Sequence, residues 1–230
     1  MAVQNRFTAP IKILPGTNSP LPVFILAGSV GNRMKIYDSK FLYRTSLGPL
    51  GLRQLSSIHD KYTMTDIVLL TGPSMGKIYK MDLGVKLIEN KTWEETSDVE
   101  CVRLGLNIIP RETRCLLISG DSFFQTLPKI QAGKSFALTY NDQDEDTIGL
   151  NCDSRLRSTG FGFERKWGGV LYLEGKEFNL LKKFCVPKNA KCELWEFLNY
   201  AVNQGGNIDC MEHPIRVINS ANKIRELKDL

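Results

Sequence analysis

A three-layer α/β architecture, a mixed sheet with helices on both faces, is what this sequence predicts. Three observations carry that expectation. Short apolar runs alternate with amphipathic stretches along the first half of the chain. Those runs are apolar at consecutive positions, as in strands covered on both faces. The chain has 230 residues, 42% hydrophobic and 24% charged, which suffices for a sizeable buried core in a globular protein.

Residues 1–22 hold Pro10, Pro15, Pro20 and Pro22 with little periodicity, which predicts an irregular arm ahead of a single domain over 23–230. VFILA (23–27), DIVLL (66–70), VKLIE (85–89) and CLLIS (115–119) predict strands buried on both faces. Helices are expected between them at 48–60, 74–81 and 97–109, and such alternation specifies a parallel sheet with helices on both sides. The second half changes character. SFALTY, DTIGLN and GGVLYLE read as strands with few helices between them, predicting a mixed or antiparallel extension. CELWEFLNYAVNQGG is the clearest helix, with Leu194, Phe197, Leu198 and Ala201 at helical spacing and Gly205 as its stop. A strand near IRVIN and a short helix at 220–228 close the chain, with no repeat, low-complexity tract or linker that would split it.

The formal charge of +5 suits an anionic small molecule and is too diffuse for nucleic acid. No apolar run approaches the ~20 residues of a membrane span, and no leader pattern opens the chain, so a cytoplasmic address and no membrane partner are expected. Cys101, Cys115, Cys152, Cys185, Cys192 and Cys210 form no C-x-x-C pair and read as reduced, which agrees with that address.

Several motifs fail on spacing. GPSMGKI brings its two glycines too close for a phosphate loop and places Ile78 where a hydroxyl should meet magnesium, and AGKS has Pro128 at its first glycine. Cys210 and His213 lack the second pair of a zinc site. His59 and His213 have no nucleophile motif around them. The loop after the first strand, GSVGNRM, is different. It leaves at a strand's carboxyl end, where α/β sheets bind ligands. Gly28 and Gly31 permit close backbone approach, Arg33 offers a planar fork for phosphate, and Lys40 a compact charge. The same residues also fit a glycine turn with two solvated cations.

LAGSVGNRM followed by Lys40 resembles the L-A-G-G-x-G-[ST]-R-M…P-K signature of nucleotidyltransferases with the GT-A-like, Rossmann-like fold, the sugar-1-phosphate nucleotidylyltransferases and their small cytidylyltransferase relatives. DIVLLTG is similar to their second strand and its glycine, and residues 85–106 to their V-x-N-P segment, with Asn90, Trp93 and Thr96 matching in type. LLISGDSFF resembles the L-L-I-x-G-D segment, KWGGVLYL the W-x-G-[IV]-Y strand, ELWEFLNYAVNQGGNI the E-D-x-L helix, and RVINSANKIRELK the closing segment. Ser29, Asn32, Ser39, Ser97, Asp98, Cys101, Asn222 and Lys223 depart from those patterns.

The resemblance implies transfer of a nucleoside monophosphate from a nucleoside triphosphate to a phosphorylated small-molecule acceptor, a sugar 1-phosphate or a phosphocholine-like compound, with release of pyrophosphate. It implies Arg33 and Lys40 as the catalytic cations and Mg²⁺ held by Asp121 and Asn219. Ala27, Gly28, Ser29, Gly31, Gly72 and Cys101 would contact the nucleotide, and Trp167, Gly168 and Gly169 the acceptor. A homo-oligomer is compatible with it. Two alternatives share these features: a catalytically silent nucleotide-binding or assembly relative, and a GT-A glycosyltransferase using Asp142-x-Asp144 in DQDED. For Asp121 and Asn219, the residue types alone also fit a turn and a helix N-cap.

Overall fold

The computed structural model describes residues 20–28, 30–31, 36–45, 48–62 and 65–218. The predicted arm as far as residue 19, Ser29, Arg33, Asn219 and the closing helix at 220–228 lie outside the described residues. In chain order the strands are β1 (Leu21–Ala27), β2 (Val30–Gly31), β3 (Ile36–Ser39), β4 (Arg44–Thr45), β5 (Gly48–Pro49), β6 (Thr65–Thr71), β7 (Lys86–Glu89) and β8 (Arg114–Ser119). They continue as β9 (Ser122–Phe124), β10 (Ser135–Asn141), β11 (Gly149–Cys152), β12 (Leu156–Gly160), β13 (Arg165–Glu174), β14 (Ile208–Glu212) and β15 (Ile215–Val217). The helices are α1 (Leu50–Lys61), α2 (Met75–Tyr79), α3 (Asp98–Ile108), α4 (Lys176–Phe184) and α5 (Leu194–Asn203).

β1 is buried along its whole length because it lies between β6 and β8, parallel to both. Successive side chains of a strand face opposite ways, and here each face meets helices. Phe24 and Leu26 join Val68, Leu70 and Leu117 against Val99 and Val102 of α3, Phe178 and Leu181 of α4, and Phe197 and Leu198 of α5. Val23, Ile25 and Ala27 join Leu69, Leu116 and Ile118 against Leu55 and Ile58 of α1 and Ile78 of α2. Each fully buried Leu, Ile or Phe of this kind contributes roughly 1.5–3 kcal/mol. The three-layer expectation holds.

The main sheet has nine strands, with the path β12-β11-β13-β8-β1-β6-β7 and β10 and β14 attached through β13. β6, β1 and β8 are parallel neighbours, whereas β13 runs antiparallel to β8 and to β10, so the mixed extension is also observed. Three details differ from the sequence reading. VKLIE is not covered on both faces: β7 pairs only with β6 and its ends are exposed, and a short apolar run does not reveal a sheet edge. DTIGLN begins its strand only at Gly149, because Asp144 ties the preceding residues into a turn. The third is α4, which follows directly on β13. Gly175 turns the chain there with φ of 60°, and no side chain caps the helix.

This topology puts one glycine just beyond each of the three parallel strands. Gly28, Gly72 and Gly120 follow β1, β6 and β8 at the carboxyl edge of the sheet. A β-carbon on Gly120 would stand 2.6 Å from the Leu26 carbonyl, and one on Gly72 3.0 Å from that of Gly28. Backbone packs closely on backbone at these strand ends, and of the three glycines only Gly28 lines the cleft described below.

Candidate active site

A cleft of about 670 Å³ opens at that edge, lined by Gly28, Lys40, Cys101, Ser119, Asp121, Trp167 and Gly169 among others. Lys40 and Asp121 are 81 residues apart and meet there, Nζ to Oδ2 at 2.7 Å. Both side chains are mostly shielded, 17% and 11% exposed. Lys40 opens a short 3₁₀ turn whose cap is Ser39. The Ser39 hydroxyl donates to the Ala27 carbonyl and accepts from the Phe41 N–H, and its own N–H donates to the Ser74 hydroxyl at 2.8 Å. The residue that departs from the family's proline thus has a task. A proline could not make that last bond, and Ser39 pins Lys40 to the end of β1 and the start of α2.

The loop carrying Asp121 is fixed from every side. Gly120 N–H donates to the Leu26 carbonyl at 3.0 Å, and Ile218 N–H donates to the Asp121 carbonyl at 2.9 Å. Gln54 of α1, 1% exposed, donates through Nε2 to the carbonyls of Ser119 at 2.9 Å and Ser122 at 2.7 Å. The Ser119 hydroxyl donates to Asp121 Oδ1 at 2.7 Å, and that of Ser122 to the Gly168 carbonyl at 2.7 Å. Gly169, at φ of 74°, lies against Ser122 Oγ and Ser119, whose Cβ would stand 2.8 Å from an added methyl. Gly169→Ala combines left-handed backbone strain with overpacking, so it should destabilise by roughly 2–5 kcal/mol and displace Ser119. Chemical denaturation measures the first effect.

Asp98 opens α3 and faces the same cleft. Its carboxyl is pushed up to about 7, first by burial, then by Glu193 and Asp121, with Lys40 acting the other way. A carboxyl whose folded pKa lies above the unfolded value of 3.8 keeps its proton longer in the folded chain. Stability therefore falls as pH rises from the unfolded value through the folded one. Without divalent cations, Asp98→Asn should raise the melting temperature relative to wild type by a margin that widens from about pH 4 to about pH 7 and then stays level. Thermal unfolding of both proteins checks this, because groups of opposite sign such as His59 cancel in the difference.

The other predicted residues divide. Gly28 and Cys101 meet in the cleft wall, where a β-carbon on Gly28 would stand 3.4 Å from the thiol. Burial pushes that thiol up to about 12, so Cys101 is a neutral filler beside Asn90, which donates to it at 3.6 Å and to Thr96 at 2.9 Å. Gly72 lies under the Trp93 side chain, behind Gly28. Trp167 and Gly169 line the cleft, whereas Gly168 does not and is packed against Ile215. Ala27 is buried on the α1 side and does not line the cleft, and Gly31 pairs with Ile36 in the β2–β3 hairpin. Asp142 and Asp144 stay out of it as well. The Asp142 carboxylate accepts the Asp144 N–H at 3.1 Å, and that of Asp144 accepts the Asp146 N–H at 3.0 Å and the Thr147 hydroxyl at 2.8 Å.

The sequence reading missed Ser119, Asp146, Phe161, Glu193 and Trp195, all of which line the cleft. One signal pointed there: the chain has three tryptophans, and Trp93, Trp167 and Trp195 all line this one cleft. The indole N–H of Trp167 is buried without a protein acceptor among the described residues. Neither histidine lines the cleft, and among the described residues no group of three or more His, Cys, Asp or Glu is arranged to hold a metal ion. No helix among them is long and apolar enough to cross a membrane.

No family model matches the chain. No curated protein matches it in sequence. Solved structures do match in shape. The inositol-1-phosphate CTP transferase from T. maritima superposes with a TM-score of 0.71 at 19% identity, over 92% of this chain and 96% of that one. CTP:phosphocholine cytidylyltransferase from Streptococcus pneumoniae gives 0.74 at 17%, over 91% and 98%. The nucleoside-diphosphate-sugar pyrophosphorylase from Vibrio cholerae RC9 gives 0.72 at 12%, over 90% and 100%. At these identities the likeness is one of fold: the chain has the architecture of these nucleotidyltransferases over nearly all of its length.

Proposed function

We propose that this chain transfers a nucleoside monophosphate from a nucleoside triphosphate to the phosphate of a small acceptor, releasing pyrophosphate. The observation that carries the proposal is the Lys40–Asp121 pair at 2.7 Å, in a cleft at the carboxyl edge of three parallel strands. An oxygen of the acceptor phosphate attacks the α-phosphorus. The bond from that phosphorus to the bridging oxygen breaks, and pyrophosphate leaves with the electron pair. A phosphate monoester has its second pKa near ~6 and is already ionised at neutral pH, so the reaction needs no general base. The absence of histidine from the cleft lining suits that chemistry.

The barrier lies in bringing two anions into line and in the charge that builds on the α-phosphate and the departing pyrophosphate. Gly28, which lines the cleft, lets the triphosphate approach the backbone closely. Lys40 shifts from Asp121 to the α-phosphate as charge grows there, and Arg33 holds the pyrophosphate. Asp121 suits a hard divalent cation such as Mg²⁺, which typically takes one or two carboxylates and completes its shell with phosphate oxygens and water. Each of its oxygens accepts one short hydrogen bond and keeps a lone pair for the ion. Asn219 would be the second protein ligand; it follows Ile218, whose N–H is bonded to the Asp121 carbonyl. When bound, the cation supplies charge neutralisation across the phosphates.

The turn bonds of Asp142 and Asp144 count against the glycosyltransferase alternative. The test is pyrophosphate release from each nucleoside triphosphate with Mg²⁺ and a panel of phosphorylated acceptors. Release that depends on the acceptor supports the proposal. Triphosphate binding without release identifies a silent relative.

A further inference from the structure

All six cysteines are free thiols, and the proposed transfer uses none of them as a reactive group. Cys101, Cys115 and Cys185 are buried, and burial pushes each thiol up. Cys152, Cys192 and Cys210 are half-buried. Two of these three meet. Cys152 ends β11, Cys210 lies in β14, and the Cys210 thiol hydrogen-bonds the Cys152 sulfur. The backbone holds them there: the Cys210 N–H donates to the Ser154 carbonyl at 3.0 Å, and Arg155 and Asp209 form an isolated antiparallel bridge. Both side chains pack against the core cluster that includes Leu150, Leu156 and Ile208. A third group joins them. Arg165 of β13 donates through Nη1 to Cys152 Sγ at 3.5 Å and to the Asp153 carbonyl at 3.0 Å. As a thiol, Cys152 itself donates weakly to the Leu150 carbonyl at 3.7 Å.

We propose that Cys152 and Cys210 are a redox-active pair that a small disulfide closes reversibly into an internal disulfide, locking the tip of the β11–β12 hairpin to β14. A thiolate, not a thiol, attacks a disulfide, and a neighbouring guanidinium favours the thiolate. Arg165 and the Cys210 thiol both present a proton to the Cys152 sulfur, which makes Cys152 the attacking group. Cys210 is the resolving group. Burial and then its bond to Cys152 push its thiol up, so it keeps its proton until the Cys152 sulfur is bonded elsewhere. Cys152 loses its proton and attacks one sulfur of the small disulfide. A mixed disulfide forms, and the first small thiolate leaves with the electron pair of the broken bond. Cys210 then loses its proton and attacks the Cys152 sulfur, expelling the second small thiolate. The two protein sulfurs are oxidised, the small disulfide is reduced to two thiols, and those thiols take up the two protons. Excess dithiol reverses both steps. Cys210 also lines a second cavity of about 410 Å³ with Lys129, Lys134 and Arg155, three cations against Asp209. Such a mouth draws in an anionic disulfide such as glutathione disulfide. Cys192 is the contrast, since burial and then Glu196 and Glu193 push its thiol up. The hairpin is well placed for a lock: Ile148, just before β11, and Phe161, just after β12, line the first cleft.

The test treats the reduced full chain with glutathione disulfide, blocks the remaining thiols, and maps the cysteines by proteolysis and mass spectrometry. Cys152 and Cys210 should be recovered linked to each other before any other cysteine reacts, and dithiothreitol should restore both thiols. Cys210→Ser should stop at glutathione on Cys152. Cys152→Ser should slow modification of Cys210 at least about tenfold, and Arg165→Gln should slow closure roughly threefold. Thermal unfolding shows that each variant still folds cooperatively. In the wild type, closure should raise the melting temperature by roughly 3–10 °C, and neither cysteine variant should show the rise. Glutathione that stays on the wild type without closure, a link to another cysteine in place of this one, or closure at an unchanged rate in Arg165→Gln would overturn the proposal. A disulfide that leaves the melting temperature unchanged or lowers it would overturn the lock. None of these readouts involves nucleotide transfer, so the proposed activity stands or falls separately.

Discussion

Replacing Asp121 with asparagine should lower pyrophosphate release by roughly 10³-fold or more, the equivalent of several kcal/mol of charge stabilisation at the transition state. The substitution is nearly isosteric. The Ser119 hydroxyl keeps an acceptor, and the backbone bonds from Ile218 and Gly120 that fix the loop do not involve the carboxylate. What is lost is the negative charge facing Lys40 and the hard oxygen that suits a divalent cation. The folded protein should lose roughly 1.5–3 kcal/mol from the broken charge-assisted bond, partly offset because Asp98 and Glu193 no longer face a third carboxylate. Loss of activity with a cooperative unfolding transition retained is the expected pattern. Collapse of the fold together with the activity would instead make Asp121 a structural residue.

Lys40→Met is the second large effect. Methionine fills the volume of the lysine stem and removes only the ammonium. Turnover should fall roughly 10²–10³-fold, the size of loss seen when one preorganised donor to a developing anion is removed. The loss should appear chiefly in kcat, because the proposed contact with the α-phosphate strengthens only as charge grows there. Lys40→Arg should rescue poorly. Nζ sits 2.7 Å from Asp121 at the head of a tight 3₁₀ turn, and a planar guanidinium cannot take the place of a compact charge there. Steady-state kinetics on both variants gives the comparison. An unchanged kcat with a raised KM would mean that Lys40 holds the ground state and the transition state equally.

Much of the frame was legible because its physics is local. β1, β6 and β8 announce themselves as consecutive apolar residues, and the loops that follow them must lie at the carboxyl edge of a parallel sheet. That picks out the loop carrying Lys40, whereas Asp121 is singled out by the resemblance of LLISGDSFF to the L-L-I-x-G-D segment; the fold brings the two together across 81 residues. Other features depend on distant packing. β7 carries the same kind of run as β6, yet it is an edge strand because nothing pairs with its outer side. α4 has no side-chain cap, and its stripe of Phe178, Leu181 and Phe184 spans only two turns, so its amphipathic pattern is brief. Other residues of the cleft lining were harder still. Phe161 comes from a strand-end turn, Asp146 from another turn, and Trp195 from the first turn of α5. No spacing in the sequence joins them; only the closure of the sheet around β13 does.

Ser39 gives the converse lesson. Against the family pattern it looks like a loss, since a proline is usual before the lysine. In the fold its hydroxyl and N–H make the three bonds that orient Lys40. A departure from a motif can therefore be a different solution to the same positioning problem.

The most direct measurement follows a radioactive label on the α-phosphate of the nucleoside triphosphate. With Mg²⁺ and a suitable acceptor, the label should pass into a product that carries both the nucleoside monophosphate and the acceptor, while unlabelled pyrophosphate appears in equal amount. Label that stays in a nucleoside diphosphate as orthophosphate is shed would show cleavage at the γ-phosphate, and would contradict attack at the phosphorus that Lys40 and Asp121 are proposed to flank.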